Sequence, residues 1–283
     1  MSLKANALSI QMKMLERSTG THVPPDSAYV VRVDGRHFSS FTKQLAKPFD
    51  TRLVTAMAMT ARELLVEFAP VCAYVHSDEI SLLFAALPDP PRYDGAGPTH
   101  LYKGRVLKLA SVIASYASVR FVDNMRLACE TCDETPAYLQ LMHDIGRQCF
   151  DGRVSALPRD EVAPYFEWRS RIDCVRNTFA SFCTTFGVVQ EGGADDITRA
   201  LSRAGAPWES VPEHLKHGIF IKKTLYEKKP NVLRSTTSAR CWHVRDNEES
   251  ASALLAKMWP SNDSTTVELD LTALPVGVTV TKG

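Results

Sequence analysis

Asp34, Asp78 and Glu79 are the residues whose placement first suggests chemistry. Asp34-Gly35-Arg36 directly follows residues 28–33 (Ala-Tyr-Val-Val-Arg-Val), a run that reads as a mostly buried strand. A carboxylate and a glycine therefore stand at a strand's end. Asp78 and Glu79 belong to the polar tip His76-Ser77-Asp78-Glu79, between apolar runs at 71–75 and 80–86 that read as a β-hairpin. If the first strand and the hairpin lie side by side, Asp34 and Asp78 converge on one sheet edge. Two converging carboxylates with a backbone carbonyl suit Mg²⁺, a hard ion that takes oxygen ligands and keeps waters for phosphate oxygens. Two such ions stabilise the entering and leaving oxygens of phosphoryl transfer. On spacing alone a plainer reading stands beside this one: Asp34-Gly35 as a turn, Asp78-Glu79 as a solvated hairpin tip. His76 reads as a packing or supporting residue, because Mg²⁺ disfavours imidazole.

The elements that must position these groups follow in order. Asp50 is placed to cap a helix running to about Phe68, with Leu53, Met57, Leu64, Leu65 and Phe68 as its apolar stripe and Pro70 as its stop. After the hairpin, the Pro- and Gly-rich residues 88–98 read as a loop, and 102–122 as a helix carrying Lys103, Arg105, Lys108 and Arg120. Residues 129–148 carry no clear periodicity. Residues 150–157 read as a strand, and a long helical stretch from 158 ends near Phe186, closed by Gly187. A short helix at 195–204 and a last strand at 219–223 complete the pattern. The order β-α-β-β-α-β is that of a ferredoxin-like, split βαβ sheet. The expected fold class is α+β: an antiparallel sheet with helices on one face and a C-terminal extension. The expected partition is an N-terminal segment 1–26, a catalytic domain 27–190, a helix, strand and basic segment 191–245, and a tail 246–283.

Several motifs stand in collinear order with these elements. They are Val31-Arg32-Val33-Asp34-Gly35-Arg36-His37-Phe38, Lys47-Pro48-Phe49-Asp50, Ser77-Asp78-Glu79, Arg105-Val-Leu-Lys108-Leu-Ala-Ser111, Phe150-Asp151-Gly152-Arg153-Val154, Tyr165-Phe-Glu-Trp168-Arg169, and Trp208 through Lys216-His217-Gly218. Together they resemble the tRNA-His guanylyltransferase family, which includes the guanylyltransferase-like proteins that polymerise in the 3′-to-5′ direction. The resemblance covers roughly residues 28–223. It implies a palm-like domain, a homotetramer, and two Mg²⁺ ions held by Asp34, the Gly35 carbonyl and Asp78, with Glu79 as a supporting member of the catalytic set. It also implies nucleotide contacts by Gly35, Lys47, Ser77, Arg105, Lys108 and Asn177. The backbone amides of Arg36, His37 and Phe38 would cradle the triphosphate of ATP or GTP.

Two departures bear on the activity. Where the guanylyltransferases proper carry a His-Ile-Asn-Asn-Leu-Tyr-Asn run after Asp-Cys, this chain has Val175-Arg176-Asn177-Thr178-Phe179-Ala180-Ser181 after Asp173-Cys174. The family's His shortly after Asp-Gly-Arg is Ser39 here. The Arg-Asn pair resembles the bacterial-type guanylyltransferase-like proteins. The implied function is template-dependent repair of 5′-truncated tRNA, with ATP or GTP activating the 5′-monophosphate. The alternatives are guanylate addition to tRNA-His and, in other classes, a palm-domain nucleotidyl cyclase or a non-catalytic RNA-binding protein.

Composition permits this partner. The 283 residues carry 33 Lys+Arg against 32 Asp+Glu, which excludes an extreme basic arm but not a local basic surface. Residues 216–245 hold eight Lys/Arg and one acid, a net +7. Lys216, Lys222, Lys223, Lys228 and Lys229 are the expected tRNA-phosphate contacts, with a ligand-free polar stretch as the plain alternative. Arg169 and Arg176 are equally suited to pairing with Asp173 or Glu167. The seven cysteines are an odd count in a chain with no visible export signal, so reduced thiols and a cytoplasmic location are expected. Cys129 and Cys132, with His143 and Cys149, have zinc-ligand types at loose spacing; ordinary thiols are the favoured reading. No apolar run is long enough for a membrane span.

Overall fold

The structure is a computed structural model that describes residues 20–88, 98–130, 136–191, 193–229, 232–259 and 266–271. Seven antiparallel strands form one sheet in the order β4-β1-β3-β2-β5-β6-β7. The first four are β1 (Ala28–Gly35), β2 (Cys72–His76), β3 (Glu79–Phe84) and β4 (Phe150–Leu157). With the helices between them they form the βαββαβ order expected from sequence, and β1 lies between β3 and β4.

A one-turn helix, α1 (Phe38–Phe41), follows β1. Helix α2 (Thr51–Phe68) begins where the Asp50 side chain accepts the Arg52 amide and ends at Ala69, which adopts left-handed φ 53 before Pro70. Helix α3 (Val106–Ala128) starts four residues later and ends six later than the sequence pattern suggests. Tyr102 and Lys103 take left-handed φ of 52 and 57, so the chain there is a tight turn and not the first turn of the helix. Helix α4 (Pro136–Ile145) occupies the stretch without clear periodicity.

Tyr29, Val31 and Val33 of β1 pack with α2 and α3, where Phe38, Phe41, Phe121 and Phe150 form an aromatic cluster. Ala28 and Val30 point the other way, into a second core with Tyr74, Phe166, Phe220, Trp242 and Leu254. Helices therefore cover both faces of the sheet, correcting the expectation of one. The cause is visible in the strands: 28–33 is a near-continuous apolar run rather than an alternating one, as a strand buried on both sides requires.

The second face is covered by α5 (Val162–Glu167), which runs through a π-helical segment, Trp168–Asp173, into α6 (Cys174–Phe186). Gly187 closes α6 at φ 67. Then come α7 (Ala194–Arg203) and α8 (Glu213–His217). The expected last strand is the inner part of a long hairpin, β5 (Ile219–Lys229) with β6 (Val232–Trp242), and β5 joins the sheet by pairing with β2. Helix α9 (Glu248–Leu255) and β7 (Thr266–Leu269) lie in the stretch expected to be a tail. Among the described residues no helix is long and apolar enough to cross a membrane.

Candidate active site

Strand pairing brings the two carboxylates together. Asp34 stands opposite Glu79 in the β1–β3 ladder, and the Gly35 amide donates to the Asp78 carbonyl at 3.0 Å. Ser77 and Asp78 form the whole loop between β2 and β3, which closes tightly because Ser77 takes left-handed φ 50. The Ser77 hydroxyl donates to Asp78 Oδ1 at 3.1 Å. Burial pushes the Asp78 carboxyl above its usual range, and the nearby Asp34 carboxylate pushes it the same way. A buried carboxyl whose charge is disfavoured, beside a second carboxylate, is a donor set that a hard divalent cation fits.

Gly35 is required here by space. A Cβ on it would lie 2.4 Å from the Phe38 ring, which packs directly beneath the turn. The expected anion cradle is narrower than the motif suggests. The Arg36 amide donates to the Cys149 carbonyl at 2.9 Å, so that donor is spent on the fold, and His37 turns the chain at φ 58 into α1.

Glu79, the cross-strand partner of Asp34, stands on the same face of the sheet and joins a chain of charges on its α5 side. Its Oε1 accepts from Arg32 Nη2 at 2.9 Å, and Arg169 pairs with its other oxygen. Arg32 also pairs with Asp34, which ties the network to the edge. Arg169 Nη1 donates to Asp173 Oδ2 at 2.7 Å, and Arg176 pairs with the same carboxylate. His76 Nε2 lies 3.7 Å from Asp173 Oδ2. Burial, with Arg169 and Arg32 adding to it, holds the His76 imidazole down at about 3, so it stays neutral at ordinary pH. Glu79 is thus an anchor between two guanidiniums, and Arg32 joins the site without having been singled out. Arg32 stands in the Val31–Phe38 motif, two residues before Asp34, and Arg169 closes the Tyr165–Arg169 motif.

A pocket of about 140 Å³ opens beside the hairpin. Lys47, Ser77 and Asn177, expected on separate motifs to touch nucleotide, all line it, together with Asp50, Leu53, Thr178 and His214. Side-chain bonds fix its walls: Ser181 Oγ donates to the Pro48 carbonyl at 2.8 Å and Thr178 Oγ1 to the Leu215 carbonyl at 2.6 Å. Asp50 caps α2 and faces this pocket. Burial pushes its carboxyl up, but Arg52 and the Ala46 and Arg52 amides outweigh burial and leave it below its usual value. The pocket and the Asp34–Asp78 edge meet at Ser77.

Other expected contacts lie elsewhere. Arg105 directly precedes α3 and is sixteen residues before Phe121, which packs against Phe38 beneath Gly35. At 1.5 Å per residue that is about 24 Å along the helix. Lys108 Nζ sits 4.9 Å from the Tyr102 ring centre near the same end. Neither of these two cations lines the pocket. Lys222 requires a correction as an RNA contact: it is fully buried, and its ammonium donates to the Ala253 and Leu254 carbonyls at 2.5 and 2.9 Å. Lys216 is buried too, paired with Glu213 and lying over Trp208. Lys223 is partly exposed, and Lys228 and Lys229 are exposed on the outer part of β5. Cys129 is buried in the core, His143 is exposed beside Asp144, and Cys132 lies outside the described residues.

Relatives assign this fold to the nucleotidyltransferases and say of which family. The sequence pattern of the tRNAHis guanylyltransferase (Thg1) family matches residues 9–158. A tRNA(His) guanylyltransferase of Schizosaccharomyces pombe is 31% identical over 245 residues, 79% of each chain. An uncharacterised protein of Acanthamoeba polyphaga mimivirus is 32% identical over 240 residues, 81% of each. A bacterial tRNA(His) guanylyltransferase (Thg1)-like protein solved in complex with ATP superposes with TM-score 0.65 at 32% identity, covering 82% of this chain and 90% of that one. Its complex with GTP gives TM-score 0.64. The chain belongs to the tRNAHis guanylyltransferase family.

Proposed function

We propose that the protein adds nucleotides in the 3′-to-5′ direction to the 5′ end of tRNA, directed by the opposite strand of the acceptor stem, and so restores 5′-truncated tRNAs. The observation that carries this reading is the meeting of the Asp34–Asp78 edge with the Lys47–Ser77–Asn177 pocket at one hairpin. A reacting phosphate and a bound nucleotide then share one place.

Asp34, the Gly35 carbonyl and Asp78 would hold Mg²⁺, two ions in the palm-like arrangement that the motifs imply. Bound there, Mg²⁺ supplies charge neutralisation on the phosphates and a lower pKa for an attacking hydroxyl. The chain's own groups orient the substrates. Lys47 offers a cation and Asn177 an amide to the nucleotide. The Arg32–Glu79–Arg169 network holds Asp34 and the hairpin in fixed relation, so that little reorganisation accompanies reaction. In the first step the tRNA 5′-phosphate displaces pyrophosphate from ATP or GTP. In the second, the 3′-hydroxyl of an incoming nucleotide attacks the activated 5′-phosphate and releases the nucleoside monophosphate.

Val175 and Ala180, where guanylyltransferases proper carry His and Tyr, support repair over obligatory guanylate addition to tRNA-His. The likeness to the bacterial Thg1-like protein solved with ATP and with GTP supports either as the activating nucleotide. In a homotetramer of such chains, Arg105 and Lys108 would serve a neighbouring copy or the tRNA. End-labelled tRNA lacking its first nucleotide, tested beside full-length tRNA-His with each nucleotide in turn, examines the proposal. Extension of the truncated tRNA by the templated base is expected. Extension of tRNA-His alone, whatever the opposing base, overturns it.

A further inference from the structure

We propose that Glu213, His217 and His243 form a transition-metal site, suited to Zn²⁺, that pins α8 to the end of β6. Their donor atoms all lie within 4.8 Å of one another. His217 Nε2 and His243 Nε2 are 3.6 and 3.5 Å from the same oxygen, Glu213 Oε2. Two ligands each about 2.0–2.1 Å from a tetrahedral Zn²⁺ stand about 3.3–3.4 Å apart, so these spans need only a small contraction to close on an ion.

Two of the ligands are oriented from behind. His217 Nδ1 is 3.2 Å from the Ser170 carbonyl. A proton on Nδ1 donated there leaves the Nε2 lone pair facing the cluster, the usual backing of a metal-bound histidine. Lys216 Nζ donates to Glu213 Oε1 at 3.0 Å, which fixes the carboxylate and presents Oε2. Glu213 and His217 are four apart on α8 and so share one face. His243 follows the last residue of β6, its ring centre 4.7 Å from that of His217. The side chains of Glu213 and His243 are 47% and 50% exposed, so an ion can enter and keep a water in a fourth position.

Two imidazoles and one carboxylate suit Zn²⁺ and related first-row ions rather than Mg²⁺, which sets this cluster apart from the Asp34–Asp78 edge. Its consequence reaches the pocket. His214 and Leu215, which lie between the two α8 ligands, line the pocket, and the Leu215 carbonyl receives Thr178. An ion bound at the three ligands would fix that wall.

Co²⁺ titration of the metal-stripped full chain tests the proposal by its visible spectrum. One equivalent should give the d–d bands of a four-coordinate nitrogen and oxygen site. Zn²⁺ should abolish them, and His243→Gln and His217→Gln should lack them. Zn²⁺ should also raise the melting temperature of the wild type and leave that of His243→Gln unchanged. His243 is half exposed, so equal melting of this variant and the wild type in chelator will verify its fold. Absence of the bands in the wild type, bands that persist in His243→Gln, or a sulfur charge-transfer spectrum indifferent to both substitutions would overturn the assignment.

Discussion

Asp78 is placed against its own charge. Burial and Asp34 both raise its carboxyl above the ordinary value, so without a cation it lends stability only at low pH, where it is protonated. That stability is lost as pH rises through the raised value. Asp78→Asn removes the penalty at neutral pH. The variant should melt at a higher temperature than the wild type in chelator, and added Mg²⁺ should stabilise it less than the wild type; thermal melts with and without Mg²⁺ check both. Asp34 and Asp78 were legible in the sequence because an Asp-Gly pair after an apolar run and a polar hairpin tip are local signals. The inward turn of Glu79 was not, because it depends on Arg169, ninety residues away, which only packing brings beneath the hairpin.

At the scale of elements, the close approach of α3 to β4 sets how the aromatic cluster supports Gly35. A Cβ at Gly152 would lie 2.5 Å from the Ala110 carbonyl oxygen, a backbone atom of α3. Gly152→Ala should therefore cost about 1–3 kcal/mol by denaturant unfolding, the range for an overpacked interior, because the helix must shift to admit the methyl group. The same motif reads in sequence as a strand, yet its glycine is explained only by the helix that crosses it. Helix ends were legible where capping chemistry is local, at Asp50 and Gly187. The outer half of the β5–β6 hairpin was not: Leu225, Tyr226 and Leu233 are exposed there, so no buried face imposes a hydrophobic pattern.

For the whole molecule, near-neutral charge conceals a polar division. The +7 stretch at 216–245 is followed by a 38-residue segment of net −4. The fold then sorts the basic residues: Lys222 and Lys216 turn inward, while Lys228 and Lys229 remain on the exposed hairpin. Composition could count these lysines but not sort them, since side-chain direction follows from strand register. If the hairpin meets tRNA, Lys228→Gln with Lys229→Gln should weaken tRNA binding across sequences. The slope of log affinity against log salt should become shallower by about 0.7–0.9 for each phosphate that no longer has a lysine beside it. Lys222→Gln should instead lower stability, because two carbonyls lose their ammonium donor.

If the Asp34–Asp78 edge performs nucleotide addition, extension of end-labelled, 5′-truncated tRNA will separate the wild type from Asp34→Ala and Asp78→Ala, with tRNA affinity measured on the same preparations. Both variants should lose addition on the order of 10³-fold while tRNA affinity stays within a few fold. Full addition by either variant would contradict that role.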